Sequence, residues 1–255
     1  MSERAAHVAD ISVLSHSEAL DLAGTEYARF IDLLTGLEPD SWRNPTECPS
    51  WDVRTMASHV LAAAEAHASA VEFARQMWLA RPLAPPLEDA LSEVQTRRRQ
   101  ALSPDQIVDG LRRTSPRSVS RRRRIPAALR AIKITYDAVT PPEKWKLGYL
   151  LDVIYTRDCW MHRIDISRAT GRDVRLDSDH DGRIVAEVVV EWARRSQQAV
   201  ELNLTGPAGG RYLTAAREAI TSPAITIDAV EFCRIAAGRQ PVASTGDLPL
   251  VRVPF

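Results

Sequence analysis

The helical spacing of apolar residues over the first 170 positions constrains the fold of this chain more than any other feature. Between Ser17 and Leu37, apolar side chains recur at steps of three and four residues, the pattern of an amphipathic helix with one buried face. Pro and Gly residues separate further segments with the same spacing. These segments predict four more helices, over 51–79, 87–102, 106–114 and 145–170.

Residues with capping preferences mark several helix ends. Ser50 is predicted to cap the second helix, with Asp52 in its first turn offsetting the helix dipole. Ser103 is predicted to cap the fourth helix, which we expect to stop before Pro116. Gly171 suits the left-handed position that follows a helix. The region up to Gly171 is therefore predicted to be entirely helical.

The pattern changes after Gly171. A helix is predicted over 180–196, then an alternating strand over 199–205 and a hairpin partner over 211–214. The remaining predictions are a strand over 224–227, a helix over 228–237 and a last strand over 250–255. The predicted fold class is therefore mainly α, with a helical bundle over residues 12–172 followed by a small α/β domain over 178–255.

Composition excludes several classes of protein. No stretch approaches eighteen consecutive apolar residues, and the charged first ten residues lack an apolar core, so we expect neither a membrane span nor a secretory signal. Three widely spaced cysteines favour a reducing cytoplasm over a disulfide framework. Lys and Arg (33) balance Asp and Glu (33), so no overall field recruits membranes or nucleic acid. We expect a cytoplasmic monomer or homodimer.

Charge is unevenly distributed along the chain. The segment Arg97–Lys133 holds twelve Lys or Arg residues against two acidic ones, and Arg121–Arg124 is its densest run. A solvated helix face, a positive wall beside a site for anionic ligands, and a nucleic-acid surface are all compatible with this pattern. We expect no nucleic-acid partner, since the segment has no zinc finger, no RNA-recognition motif and no stacking aromatics among the arginines.

Three side chains on two predicted helices could hold a metal ion. Asp158 and His162 are four residues apart, which places them about 40° apart on one helix face. His59 could add a third ligand inside a bundle and leave a coordination position open, as catalytic zinc requires. Other readings also fit: a buried core histidine at position 59, and an ion pair between Asp158 and His162. Asp165 could pair with His162 or orient its second ring nitrogen.

Segments of this sequence resemble the mycothiol-dependent maleylpyruvate isomerase family, which belongs to the wider DinB-like metalloproteins. The first is Trp42–His59 (WRNPTECPSWDVRTMASH), and the second is Tyr155–Gly171 (YTRDCWMHRIDISRATG). A weaker third resemblance covers 202–210 and 228–239. The segments occur in the family's order along nearly the whole chain, which is identified as a member on this basis.

The resemblance implies a DinB-like four-helix bundle that binds a divalent metal, usually zinc. Carried over, the metal ligands are His59, Asp158 and His162. The family has Glu where this chain has Asp158, which is shorter by about 1.5 Å, so coordination through water is an alternative to direct binding. The resemblance also implies a catalytic arginine from the C-terminal domain, and Arg239 occupies a comparable place.

The implied cofactor is the thiol mycothiol, and the implied partner is a small electrophilic substrate. Changing a cis double bond to trans requires a transient single bond, which addition and later expulsion of a thiolate provide. A free thiol of pKa about 8.5 is only about 3% ionised at pH 7, and a divalent cation would deprotonate it. The thiol comes from the cofactor, so Cys48 and Cys159 are predicted to be packing residues.

Several functions remain compatible with these residues. The same site would serve a cis-trans isomerase of a maleylpyruvate-like diacid or a thiol S-transferase. An alternative is a non-catalytic DinB-like protein that binds a divalent metal or a small ligand, and Asp158 in place of Glu slightly favours it. A third hypothesis is an interaction or nucleic-acid module that uses the segment Arg97–Lys133.

Overall fold

The chain divides into two units in a computed structural model that describes residues 5–83, 86–139, 141–240 and 248–255. The helical unit is His16–Val174. The second unit combines the described residues of Met1–Ser15 with those of Arg175–Phe255. The domain bounds predicted from the sequence, 12–172 and 178–255, did not include the association of the N-terminal segment with the C-terminal residues.

Helices account for most of the first unit. They are α1 His16–Thr35, α2 Val53–Ala68, α3 Ala70–Ala80, α4 Leu87–Arg97, α5 Pro104–Arg123, the short turns α6 Ala127–Arg130 and α7 Leu147–Tyr149, a π-helical turn Leu150–Ile154, and α8 Tyr155–Thr170. A 3-10 turn, Pro39–Arg43, lies between α1 and α2. Helix α2 packs on α5 and α8, and α1 packs on the same two helices. These four helices form the predicted bundle, and α3 and α4 pack on α2.

The bundle core is built from the apolar faces of its four helices. Its buried members are Tyr27, Phe30, Leu33 and Leu34 of α1, Val53, Met56, Ala57, Val60, Leu61 and Ala64 of α2, Ile107, Val108 and Leu111 of α5, and Cys159 and Ile166 of α8, together with Trp42. Burial of such side chains contributes about 1.5–3 kcal/mol each. The periodicity seen in the sequence therefore corresponds to one continuous interior.

Two predicted helices differ from those in the structure. The helix predicted over 51–79 is interrupted at Ser69, whose side chain accepts a hydrogen bond from the amide of Glu72 and so caps a new helix, α3. The N-cap of α2 is Asp52, which accepts from the amide of Thr55, and the prediction of Ser50 was wrong. Asp52 is the cap because its carboxylate oxygen lies 2.7 Å from that amide nitrogen.

Helix α5 is longer than predicted. It starts at the predicted cap, where Ser103 and Gln106 form a reciprocal capping box. It then continues through Pro116 to Arg123, so the prediction that proline would end it was wrong. Proline removes one backbone hydrogen bond, and extensive packing of α5 on α1 and α2 offsets that cost.

A hairpin in the helical unit was not predicted. Strands β2 Lys133–Tyr136 and β3 Glu143–Lys146 pair antiparallel, with Ile134 opposite Trp145. The ring of Tyr136 stacks on Trp145 with 3.7 Å between centroids. The prediction of helix from residue 145 was therefore wrong for its first two residues, because cross-strand aromatic pairing holds them extended.

The second unit is a four-stranded sheet with two helices. Its strands are β1 Ala6–His7, β4 Glu201–Thr205, β5 Gly210–Leu213 and β6 Ile225–Asp228, in the order β1-β5-β4-β6. Its helices are α9 Asp181–Ser196 and α10 Ala229–Ala237, with 3-10 turns Val8–Asp10 and Arg217–Ala219. The predicted hairpin is present, since β4 and β5 pair antiparallel. β1 pairs parallel with β5, and β6 with β4.

The strand predicted over 250–255 is absent, because those residues lie outside the described sheet. The amide of Val253 instead donates to the carbonyl of Ala236, so the segment packs on the end of α10. Gly171 and Gly238 end α8 and α10 in the left-handed conformation, with φ of 64° and 92°. Among the described residues, no helix is both long and apolar enough to cross a membrane.

Candidate functional site

The N-terminal end of α2 is fixed by the Pro-rich loop before it. Thr46 donates both its amide and its hydroxyl to the carbonyl of Trp51, and the amide of Trp51 donates to Cys48. Pro45 and Asp52 form an isolated antiparallel bridge. With Asp52 capping the helix, this loop sets the start of α2, and His59 follows about two turns later on a half-buried face.

Helix α8 carries the other two side chains of the predicted cluster. Asp158 and His162 are one helical turn apart, and the Nε2 of His162 lies 3.2 Å from a carboxylate oxygen of Asp158. The Nε2 of His59, on α2, lies 3.5 Å from the other oxygen of the same carboxylate. The structure thus brings together the three residues that the sequence placed on two distant helices.

The spacing of these atoms suits a metal ion. One ligand atom from each of His59, Asp158 and His162 lies within 4.8 Å of the others. Tetrahedral ligands at 2.0–2.1 Å from zinc lie about 3.4 Å apart, and each imidazole lies at a comparable distance, 3.5 and 3.2 Å, from one of the two oxygens of Asp158. Asp158 therefore reaches both imidazoles despite being shorter than Glu, and two imidazole nitrogens with one carboxylate are a donor set that zinc accepts.

Asp165 lies behind His162, as one of the sequence readings predicted. Its carboxylate is fully buried and lies 3.2 Å from the Nδ1 of His162. A hydrogen bond at Nδ1 leaves Nε2 as the nitrogen that faces Asp158 and fixes the orientation of the ring. By contrast, the Nδ1 of His59 is buried and has no hydrogen-bond partner in the part of the chain that the structure describes.

The electrostatics of the cluster reflect this geometry. Burial alone would lower the pKa of His162, but Asp158 and then Asp165 outweigh burial and raise it to about 9. Burial alone would raise the pKa of Asp158, but His162 and His59 hold it well below its ordinary value. Without a metal, the pair is therefore an imidazolium facing a carboxylate, and a bound cation would replace the proton.

Trp51 borders the cluster, although its position in the sequence suggests only a packing residue at the start of a helix. Its ring centroid lies 4.9 Å from that of His59 and 5.7 Å from that of His162. The indole therefore lies against both imidazoles. The available signal was its position, since Trp51 immediately precedes the capping residue of the helix that carries His59.

The two cysteines near the site differ. Cys159 is buried in the bundle core, as predicted for a packing residue, and burial followed by Glu26 raises the pKa of its thiol well above the ordinary value. Cys48 was also predicted to pack, and it contacts the core. Its Sγ, however, lies within 4.8 Å of ligand atoms of His162 and Asp165, so it also borders the cluster.

Arg239 belongs to the second unit. It directly follows Gly238, which ends α10, and its Nη1 donates weakly to the carbonyl of Ala237 at 3.5 Å. Its backbone amide donates to the carbonyl of Arg234. Its catalytic role stays a prediction.

The arginines of the basic segment Arg97–Lys133 differ in burial, so the segment is not simply a solvated helix face. Arg99 is buried, and its guanidinium pairs with Glu65 and Glu72 of the neighbouring helices. Arg130 pairs with Asp152. Arg121, Arg123 and Arg124 are exposed, whereas Arg122 between them is buried.

Comparison with known proteins agrees with this architecture. The family described as "Mycothiol maleylpyruvate isomerase N-terminal domain" matches residues 23–167, more than half of the chain. Among solved structures, the crystal structure of the mycothiol-dependent maleylpyruvate isomerase is similar, with a TM-score of 0.58 and 19% identity over 96% of this chain and 98% of that one.

The crystal structure of a histidine-to-alanine mutant of the mycothiol-dependent maleylpyruvate isomerase has the same TM-score and coverage at 18% identity. At such identities the likeness establishes a shared fold. A comparison with curated proteins finds no match. On the match over residues 23–167, the chain belongs to the mycothiol maleylpyruvate isomerase N-terminal domain family.

Proposed function

We propose that this protein is a metal-dependent enzyme that uses mycothiol either to isomerise a maleylpyruvate-like cis-enedioate or to transfer the thiol to an electrophile. The observation that carries the proposal is the convergence of His59, Asp158 and His162 inside the helical unit. Family membership supports mycothiol as the thiol and a maleylpyruvate-like substrate, since the names of the family and of the similar crystal structure contain both.

Different residues of the chain would bind the metal and orient its ligands. His59 and His162 would supply two nitrogens and Asp158 one oxygen, so a four-coordinate ion would keep one position for an external ligand. Asp165 holds the ring of His162 in place through Nδ1. When bound, a divalent ion supplies a Lewis acid that lowers the pKa of a thiol and fixes the thiolate.

The thiol must come from outside the protein's core. Cys159 is next to Asp158 in sequence, but burial keeps its thiol protonated at neutral pH, and it packs among apolar side chains. An external thiol that enters beside Trp51 would meet a surface formed by the indole and two imidazoles. Holding the thiol there converts a bimolecular encounter into an addition between positioned groups.

The isomerisation is balanced without a redox partner. A bound thiol would supply a nucleophile that adds reversibly to one carbon of the cis double bond, with the electron pair taken up by the conjugated carbonyl. Rotation about the resulting single bond and loss of the same thiolate would give the trans form and return the thiol unchanged. In an S-transfer reaction the new carbon–sulfur bond persists, and one thiol is consumed for each product molecule.

The test follows ultraviolet absorbance and free thiol together, using zinc-loaded protein, mycothiol and a cis-enedioate. We expect absorbance change with constant thiol for an isomerase and stoichiometric thiol loss for a transferase. His59→Ala and His162→Ala should lose zinc and both signals, whereas His7→Ala, in the other unit, should retain them. Stoichiometric zinc without any absorbance or thiol change would leave a non-catalytic metal-binding protein and refute the enzyme.

A further inference from the structure

A single arginine in the basic run of α5 points into the protein. Arg122 has 1% of its surface exposed, whereas its neighbours Arg121 and Arg123 are exposed. Arg123 pairs with Asp21 at the surface. A guanidinium keeps its charge even when buried, so position 122 places a permanent cation inside the helical unit.

The buried cation is only partly satisfied. The Nη2 of Arg122 donates to the carbonyl of Leu151, in the π-helical turn before α8. Its Nε and Nη1 are buried and have no hydrogen-bond partner, and no carboxylate lies within 4 Å of it, in the described ranges of the chain. A buried charge without a counter-ion is strongly unfavourable, so the site favours an anion that enters from outside.

Most groups that act on Arg122 are neutral hydrogen-bonding side chains. The exception is Asp152, which attracts the guanidinium from beyond ion-pair distance and is itself paired with Arg130 and His16. Burial, followed by the charge of Arg122, lowers the pKa of His67 to about 3, so its imidazole is uncharged. Burial raises the pKa of Tyr27 to about 12 and raises that of Tyr155 further, so both hydroxyls keep their protons. His67 packs edge-on against Tyr155 with 4.1 Å between centroids, and its Nδ1 has no partner among the described residues.

These neighbours connect Arg122 to the metal cluster. His67 and Tyr155 join the same two helices that carry the cluster, since His67 follows His59 on α2 and Tyr155 precedes Asp158 on α8. Asp158 and Arg122 also both act electrostatically on Tyr27, His67 and Tyr155. π-helical turns such as Leu150–Ile154 are frequent at functional sites, and this one fixes the guanidinium through Leu151.

We propose that Arg122 anchors a carboxylate-binding subsite beside the cluster of His59, Asp158 and His162. Its free N–H groups receive one carboxylate of an anionic ligand through charge-assisted hydrogen bonds. The assignment of that carboxylate to a dicarboxylic substrate rests on the proposed function. The anion site itself does not, because it is built from residues that the metal does not use.

The test is calorimetric titration of the full-length protein with sodium maleate, fumarate and acetate, in zinc-loaded and in chelator-treated form. We expect the chelator-treated protein to bind maleate, and Arg122→Met to weaken that binding by about 30-fold or more. Arg121→Met, an exposed neighbour in the same helix, should bind as the wild type does. In a turnover assay, Arg122→Met should raise KM for the diacid and leave the thiol KM unchanged.

Several results would overturn the subsite. The proposal fails when the metal-free wild type binds none of the three carboxylates, or when Arg122→Met binds maleate within twofold of wild type. Should Arg122→Met not fold, Arg122→Lys replaces it, with a loss of tenfold or more in affinity supporting the subsite and an unchanged affinity refuting it. If the zinc-loaded wild type binds maleate but shows no turnover, the proposed function is refuted and the subsite is not.

Discussion

Zinc binding is predicted to tighten by about two orders of magnitude between pH 7 and pH 9. The reason is that His162 carries a proton in the metal-free protein. Burial would lower its pKa, but Asp158 and Asp165 raise it to about 9. A metal binds the unprotonated imidazole, so the proton and the ion compete for the same nitrogen.

The magnitude follows from the fraction of unprotonated imidazole. At pH 7 about 1% of His162 is free of its proton, which weakens the apparent affinity about 100-fold, at about 1.4 kcal/mol per pH unit. Asp158 adds no competition in this range, because its pKa is held below the ordinary value. The apparent Kd should therefore fall about tenfold between pH 7 and 8, about fivefold between pH 8 and 9, and level off above.

The assay is competition for zinc against a coloured chelator whose own pH dependence is known. Asp165→Asn removes one of the two carboxylates that raise the pKa of His162, so its affinity should level off at a lower pH. His7→Ala changes a histidine of the other unit and should keep the wild-type slope. A Kd that is constant between pH 7 and 9, or a slope that persists in His162→Ala, would refute the reasoning.

Three further predictions concern stability, each measured by urea unfolding. Glu26 and Arg163 form a buried ion pair with contacts of 2.6 and 3.1 Å, so Glu26→Ala should cost about 3–5 kcal/mol, and the double variant Glu26→Leu, Arg163→Met should recover most of it. A double variant as unstable as the single one would contradict this account. Burial lowers the pKa of His67 to about 3, so on acidification the unfolded chain binds a proton at this residue before the folded protein does. The free energy of unfolding should therefore be at its full value above about pH 6.5 and fall by about 3 kcal/mol by pH 4.5. His67→Phe should remove this loss. Equal acid sensitivity in wild type and His67→Phe would exclude it. Ser103→Ala breaks the capping box of α5 and should cost about 1 kcal/mol, whereas an unchanged midpoint would mean that the cap is redundant.

The predictable part of the site rested on local helix geometry. Asp158, His162 and Asp165 share one helix, so their spacing alone placed the carboxylates around the imidazole. The residues alone offered His59 as a possible third ligand beside the alternative of a core histidine, and the resemblance to a known family favoured the ligand. Trp51 was missed because its contact with both imidazoles depends on how α2 and α8 meet.

The unpredictable part of the fold depended on tertiary contacts. Arg122 lies within a run of four arginines, and composition gives no sign that one of them is buried. Likewise, Pro116 is a helix breaker by local rules, and only packing on two other helices keeps α5 continuous. The hairpin at 133–146 consists of two four-residue strands, too short for alternation to stand out among helices.

The pairing of β1 with β5 makes the small unit discontinuous along the chain. Ala6 lies opposite Tyr212, so this ladder closes a loop of about 200 residues, whose entropic cost is high for a disordered chain. If the helical unit His16–Val174 folds first, most of that loop is already ordered, and closing the ladder costs less entropy. We therefore expect the bundle to form first and the N-terminal strand to join the sheet last.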